Sequence, residues 1–186
     1  MKKLFSVNVV IAGLFLFSSC DKIFELTKKD ISVPDVEFKF DAIEVGTSSE
    51  VLRADTYYNF EWTKGISISD FGEDVAKYNS SHIINALCQS ASINIFSPND
   101  TAGNVIDLLV VTTGNPPLNF SKSSYTLGTV YAGEDMKSFA QSLIFQALKQ
   151  EPFEIKITGK TDLPPGEKLQ ATILLTGISV TVQLIN

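Results

Sequence analysis

The chain has 186 residues, 15 lysines and arginines against 21 aspartates and glutamates, and a formal net charge of −6. That length suits one core of ordinary size and is short for two comfortable domains, while the acidic balance argues against nucleic acid and against a body resting on anionic lipid. With one histidine, His82, and two cysteines, Cys20 and Cys88, the chain cannot fill the four positions of a structural zinc site.

The first residues read as an export signal. Lys2 and Lys3 give a positive start, and Val7 to Phe17 is apolar except for Asn8, so a charged n-region precedes an apolar h-region. This run falls short of the roughly 20 apolar residues a membrane span needs. It ends in Ser18-Ser19-Cys20, and the segment resembles the type II signal peptide of bacterial lipoproteins. The resemblance implies cleavage before Cys20, a diacylglycerol on its sulfur and a further acyl chain on its amine. At about 0.8 kcal/mol per buried methylene, two or three chains together hold durably where one holds weakly. Cys88 is then left without a partner for an intrachain disulfide. Residues 1–19 are the expected signal peptide and 20–34 the lipidated cysteine and its tether, a mixed and charged stretch ending near Pro34. Residues 35–186 follow as a single domain.

That domain is written mainly in period two. Val36, Phe38, Phe40 and Ala42 alternate with Glu37, Lys39 and Asp41. The same alternation recurs at Tyr58, Phe60 and Trp62, and at Phe153, Ile155 and Ile157, and predicts strands with one wet face. Val105 to Val111 is apolar at nearly every position, which predicts a strand covered on both sides. In the last strand the apolar positions are odd from Leu169 to Leu175 and even from Ile178 to Leu184. This predicts a β-bulge at Thr176-Gly177. Turn chemistry marks Gly114-Asn-Pro-Pro117 and Asp162-Leu-Pro-Pro-Gly166, the second expected to close a hairpin between the two final strands.

One segment has a strong helical period. From Asp135 to Lys149, the residues Met136, Phe139, Ala140, Leu143, Ile144, Ala147 and Leu148 form one stripe, Glu134 and Asp135 favour its dipole, and Pro152 stops it. A shorter helix is expected over Phe71–Tyr78, with Asp70 and Glu73 at the spacing of a capping box. The expected fold is mainly β: an antiparallel β-sandwich or partial barrel, with one amphipathic helix, about 135–149, packed across an opening or over a face.

Chemistry is sparse. There is no Gly-x-Ser-x-Gly elbow around the serines, no phosphate-binding glycine loop, and no loop dense enough in carboxylates for calcium. His82 and Cys88 share a strand parity but stand about 20 Å apart on one strand, too far for a catalytic dyad. No cofactor or metal and no enzymatic activity is expected.

Three smaller signals stand out. Phe145 falls on the polar face of the long helix, beside Ser138, Gln141 and Ser142, and is a candidate partner contact if exposed. Tyr57, Tyr78, Tyr125 and Tyr131 could stack on sugar rings if they share a wet face. Asp100-Thr-Ala102 resembles the short O-glycosylation site of some envelope proteins of Gram-negative anaerobes, which would place a sugar on Thr101.

Taken whole, the lipoprotein start, the alternating strands and the helix before the last two strands are similar in layout to small β-sandwich lipoproteins of Gram-negative envelopes. The resemblance implies a location in the cell envelope, anchored by lipid on Cys20, with the outer membrane expected over the inner and either face open. It leaves three functions: a non-catalytic module that binds or assembles with an envelope protein, a glycan- or lipid-binding module, or a hydrolase with an unfamiliar site around His82.

Overall fold

The computed structural model describes residues 28–46, 57–78, 82–149 and 152–184. Cys20 and the signal segment lie outside them.

The alternating runs form two antiparallel sheets that pack as a β-sandwich. The first contains β1 (Lys28–Val33), β2 (Val36–Glu44), β4 (Ile83–Phe96), β7 (Val130–Tyr131) and β9 (Lys168–Gln183). In it β9 is central, with β4 on one side and β1 and β2 end to end on the other. The second sheet runs β3 (Tyr58–Ile66), β8 (Phe153–Thr161), β5 (Asn104–Thr112), β6 (Asn119–Thr126). Phe38, Phe40, Ile93, Ile95 and Ile173 from the first sheet and Phe60, Trp62, Val110, Ile155 and Ile157 from the second are buried. Phe40 meets Trp62 across the interface with ring centroids 6.4 Å apart, and Trp62 donates its indole N–H to the Asp41 carbonyl at 2.8 Å.

The helices are a short 3-10 turn (Ile68–Phe71), α1 (Glu73–Ala76) and α2 (Glu134–Lys149). All seven residues of the expected stripe on α2 are buried. The helix packs on β4 of one sheet and β6 of the other, and Phe139 lies 6.3 Å from Phe120. It therefore closes the open side of the sandwich between two outer strands. The capping pair lies one turn earlier than the spacing suggested: Asp70 accepts from the Ser67 backbone N–H at 2.7 Å, so Asp70 caps the 3-10 turn instead of pairing with Glu73.

The structure revises further expectations. Residues 28–33 belong to the sheet, because Ile31 and Val33 bury their side chains when Lys28 to Val33 pair with Gln183 to Ile178; the segment between Cys20 and the domain is correspondingly shorter than 20–34, and the domain begins before residue 35. The Asp162–Gly166 turn is no hairpin, since β8 and β9 lie in different sheets. Leu163 is fully buried, and Val45 at the end of β2 bonds the turn through Gly166 and Glu167, which draws the chain across to the other sheet. β5 is packed on one face only: Val105, Leu108 and Val110 are buried while Leu109 is exposed. The irregularity on that strand falls at Asp107, where φ is 52° and the register with β8 shifts.

The parity change at Thr176-Gly177 is present but is not a bulge against β4. Cys88 pairs with Ile178 and Ser90 with Thr176, so the register is unbroken. The reason is that all three neighbours change step along one line. On β4 the buried set passes from Ala86 and Cys88 to Ala91 and Ile93, and on the outer side it passes from Ile31 and Val33 to Val36 and Phe38. Pro34 has no N–H to give, and the Asp35 carboxylate beside it accepts from the Gly177 N–H at 3.3 Å. Gly177 sits at φ 62°, a conformation costly for any side chain, and a Cβ there would come within 2.7 Å of the Gln89 side chain.

Candidate functional site: a groove beside the long helix

α2 runs antiparallel to β4. Tyr131, just before the helix, pairs with Ile93; Gln141 donates to the Cys88 carbonyl at 3.4 Å; and Phe145 and Lys149 share a groove with Asn85 and Ala86. The C-terminal turns of the helix thus lie over the start of β4.

At that end the helix leaves an apolar side chain out of the core. Phe145 is 43% exposed although Ile144 and Gln146 on either side are buried. It forms one wall of an open groove of about 430 Å³, whose other apolar walls are Ala86, Pro116 and Leu118. Lys149 places its ammonium 5.7 Å from the centre of the Phe145 ring, within the range of a cation–π contact.

Gln146 fixes the groove's shape. Its Oε1 accepts from the Thr112 hydroxyl at 2.9 Å and its Nε2 donates to the Pro116 carbonyl at 2.7 Å. Thr112 Oγ1 also accepts the Leu118 N–H at 3.0 Å. One buried amide therefore ties the helix to the β5–β6 turn, and Gly114 is needed there because a Cβ would approach the Gln146 side chain to 2.4 Å. The sequence marked Gly114 as part of a turn but not its contact with the helix, and the one visible sign of Gln146 is a polar residue set between Ile144 and Ala147 of the apolar stripe.

The opposite end of α2 is closed. Tyr131 donates to the Asp135 carboxylate at 2.7 Å, and Lys122 lies 3.9 Å over the Tyr131 ring. The hydrogen bond holds the Asp135 carboxyl below its ordinary pKa and raises that of the Tyr131 phenol. Tyr125 is buried, with its hydroxyl bonded to the Ile95 N–H and the Thr129 carbonyl, and its phenol is pushed up by burial. These tyrosines brace the sandwich and do not form an exposed row.

The other candidates are scattered. Thr101 is half-buried in the turn between β4 and β5, and its hydroxyl donates to Glu167 Oε2 at 3.0 Å, an oxygen that Asn99 also reaches. His82 is half-buried just ahead of β4. Cys88 lies six residues along, fully buried, with its thiol directed to the Ser90 and Thr176 carbonyls and its pKa pushed up by burial. The strand between them is continuous, so the two are not brought together. Among the described residues no group of three histidines, cysteines or carboxylates is placed to hold a metal ion, and no described helix is long and apolar enough to cross a membrane.

No family model matches the chain, and no curated protein matches it. Among solved structures, a chain of Desmodium yellow mottle tymovirus aligns with 86% of this chain and 90% of that one, at 12% identity and a TM-score of 0.31.

Proposed function

We propose that this protein is a lipid-anchored module of a bacterial cell envelope that works by contact with another protein and not by catalysis. The anchor rests on the Lys2–Cys20 segment and its likeness to a lipoprotein signal. The contact rests on one observation: Phe145, alone among the phenylalanines of the described residues, is exposed, and it stands in a groove whose shape a buried glutamine holds. An exposed aromatic beside preformed apolar walls is the kind of anchor point that carries binding energy in protein interfaces.

The test has two parts. Intact mass of the envelope-extracted protein, wild type beside Cys20→Ser, reads the acyl chains directly. In-cell photocrosslinking from a reporter at Ser142, with and without Phe145→Ser, reads the contact. The expected result is one discrete crosslinked partner that disappears with Phe145→Ser in a protein that still folds; an unchanged partner would remove the groove from the account.

The groove volume also favours a second reading. About 430 Å³ falls within the range of small-ligand sites, and apolar walls with Lys149 at the rim suit an acyl chain carrying an acidic head. A bound lipid in the mass of the native extract would select this reading.

A further inference from the structure

The two ends of the sandwich differ, and the chain enters at one of them. Lys28 pairs with Gln183, and Val182 pairs with Ile83. The start of β1, the end of β9, the start of β4 and the groove beside Phe145 therefore share an end of the molecule. Ile84 and Leu184 expose apolar side chains there, at 41% and 42%, while Leu87, Leu174, Leu109 and Val130 are exposed farther along the sheets. Its charges are mixed, with Lys28 and Lys29 beside α1, where Lys77 pairs with Asp74 at 2.7 Å. The opposite end holds the Thr101 turn and the crossing turn, and presents Glu44, Asp100, Asp162 and Glu167 against Lys168. The net acidity of the chain is thus unevenly placed.

We infer that the domain stands on its membrane with the Lys28 end down, Ile84 and Leu184 touching the headgroup layer and the acidic end pointing away. This rests on the proposed lipidation of Cys20 and deepens it. Eight residue steps separate Cys20 from Lys28, a reach of at most about 28 Å. β9 has 16 residues and is about 50 Å long at 3.3 Å per residue. An inverted domain would hold Lys28 about 50 Å above the lipid, beyond that reach, so the acidic end cannot be the seat. Lying flat is within reach, but it would bring the carboxylates of the far end down to an anionic surface. Upright seating also sets the Phe145 groove at the membrane-facing end.

The test uses the full acylated protein in a Cys88→Ala background, reconstituted in phosphatidylethanolamine–phosphatidylglycerol vesicles. A fluorescent reporter is placed by Ile84→Cys, Leu184→Cys or Asp100→Cys, and quenched by nitroxides attached to the lipid. Quenching is expected to be several-fold stronger at positions 84 and 184 than at 100. Equal quenching at the two ends, or stronger quenching at 100, in a protein whose mass shows the acyl chains, would overturn the orientation and leave the anchor standing. A mass without acyl chains would overturn both.

Discussion

Two turns of this protein carry the same Pro-Pro signal and do opposite things. Gly114-Asn-Pro-Pro117 returns the chain within one sheet, from β5 to β6, and its Pro116 carbonyl is held by Gln146 of the helix. Asp162-Leu-Pro-Pro-Gly166 carries the chain from one sheet to the other, with Leu163 sunk in the core and Asp162 accepting from the Asn104 backbone at 2.6 Å. Proline and glycine fix where a chain bends. Which sheet it joins afterwards is decided by what the turn buries and by which strand end receives it.

Substitutions can test that division. The largest effect is expected from Leu163→Ala, which empties a fully buried position in the crossing turn and should cost about 2–5 kcal/mol in urea unfolding. An effect below 1 kcal/mol would mean that the turn residues alone direct the crossing. Gln146→Leu should cost about 1–3 kcal/mol, because the Pro116 carbonyl loses its donor and the Thr112 hydroxyl its acceptor, and it should also weaken any groove partner by loosening the β5–β6 turn. Asp162→Ala removes the bonds to Asn104 from an exposed site and should cost about 1 kcal/mol. Phe145→Ser should leave stability within about 0.5 kcal/mol while abolishing the crosslinked partner. That outcome would separate a side chain kept for contact from the neighbouring amide kept for shape.

Much of the architecture was legible along the chain. Alternation located Phe38, Phe60, Trp62 and Ile155 on buried faces, and the helical stripe from Met136 to Leu148 is buried as its spacing demanded. Period carries such information because it is local. Sheet membership is not local: β8 and β9 are neighbours in sequence yet lie in different sheets, and β1 reads as a charged tether because only two of its six residues are buried. The parity change in β9 was visible, but its cause was shared with Pro34, between β1 and β2, and with Gln89 on β4, both far away in sequence. The candidate site divides in the same way. The position of Phe145 on the wet side of the helix follows from 100° per residue, whereas the opposite walls of its groove come from residues 85–86 and 116–118, which no helical period could have brought to it.

The placement of β1 has a mechanical consequence. The domain's first described residues form a strand laid along β9, and its six cross-strand pairs run perpendicular to the direction in which the chain leaves at Lys28. Drag applied to the chain ahead of Lys28, along the axis of β1, loads those rungs in shear and all together, where a domain entered through a loose loop would be opened one bond at a time.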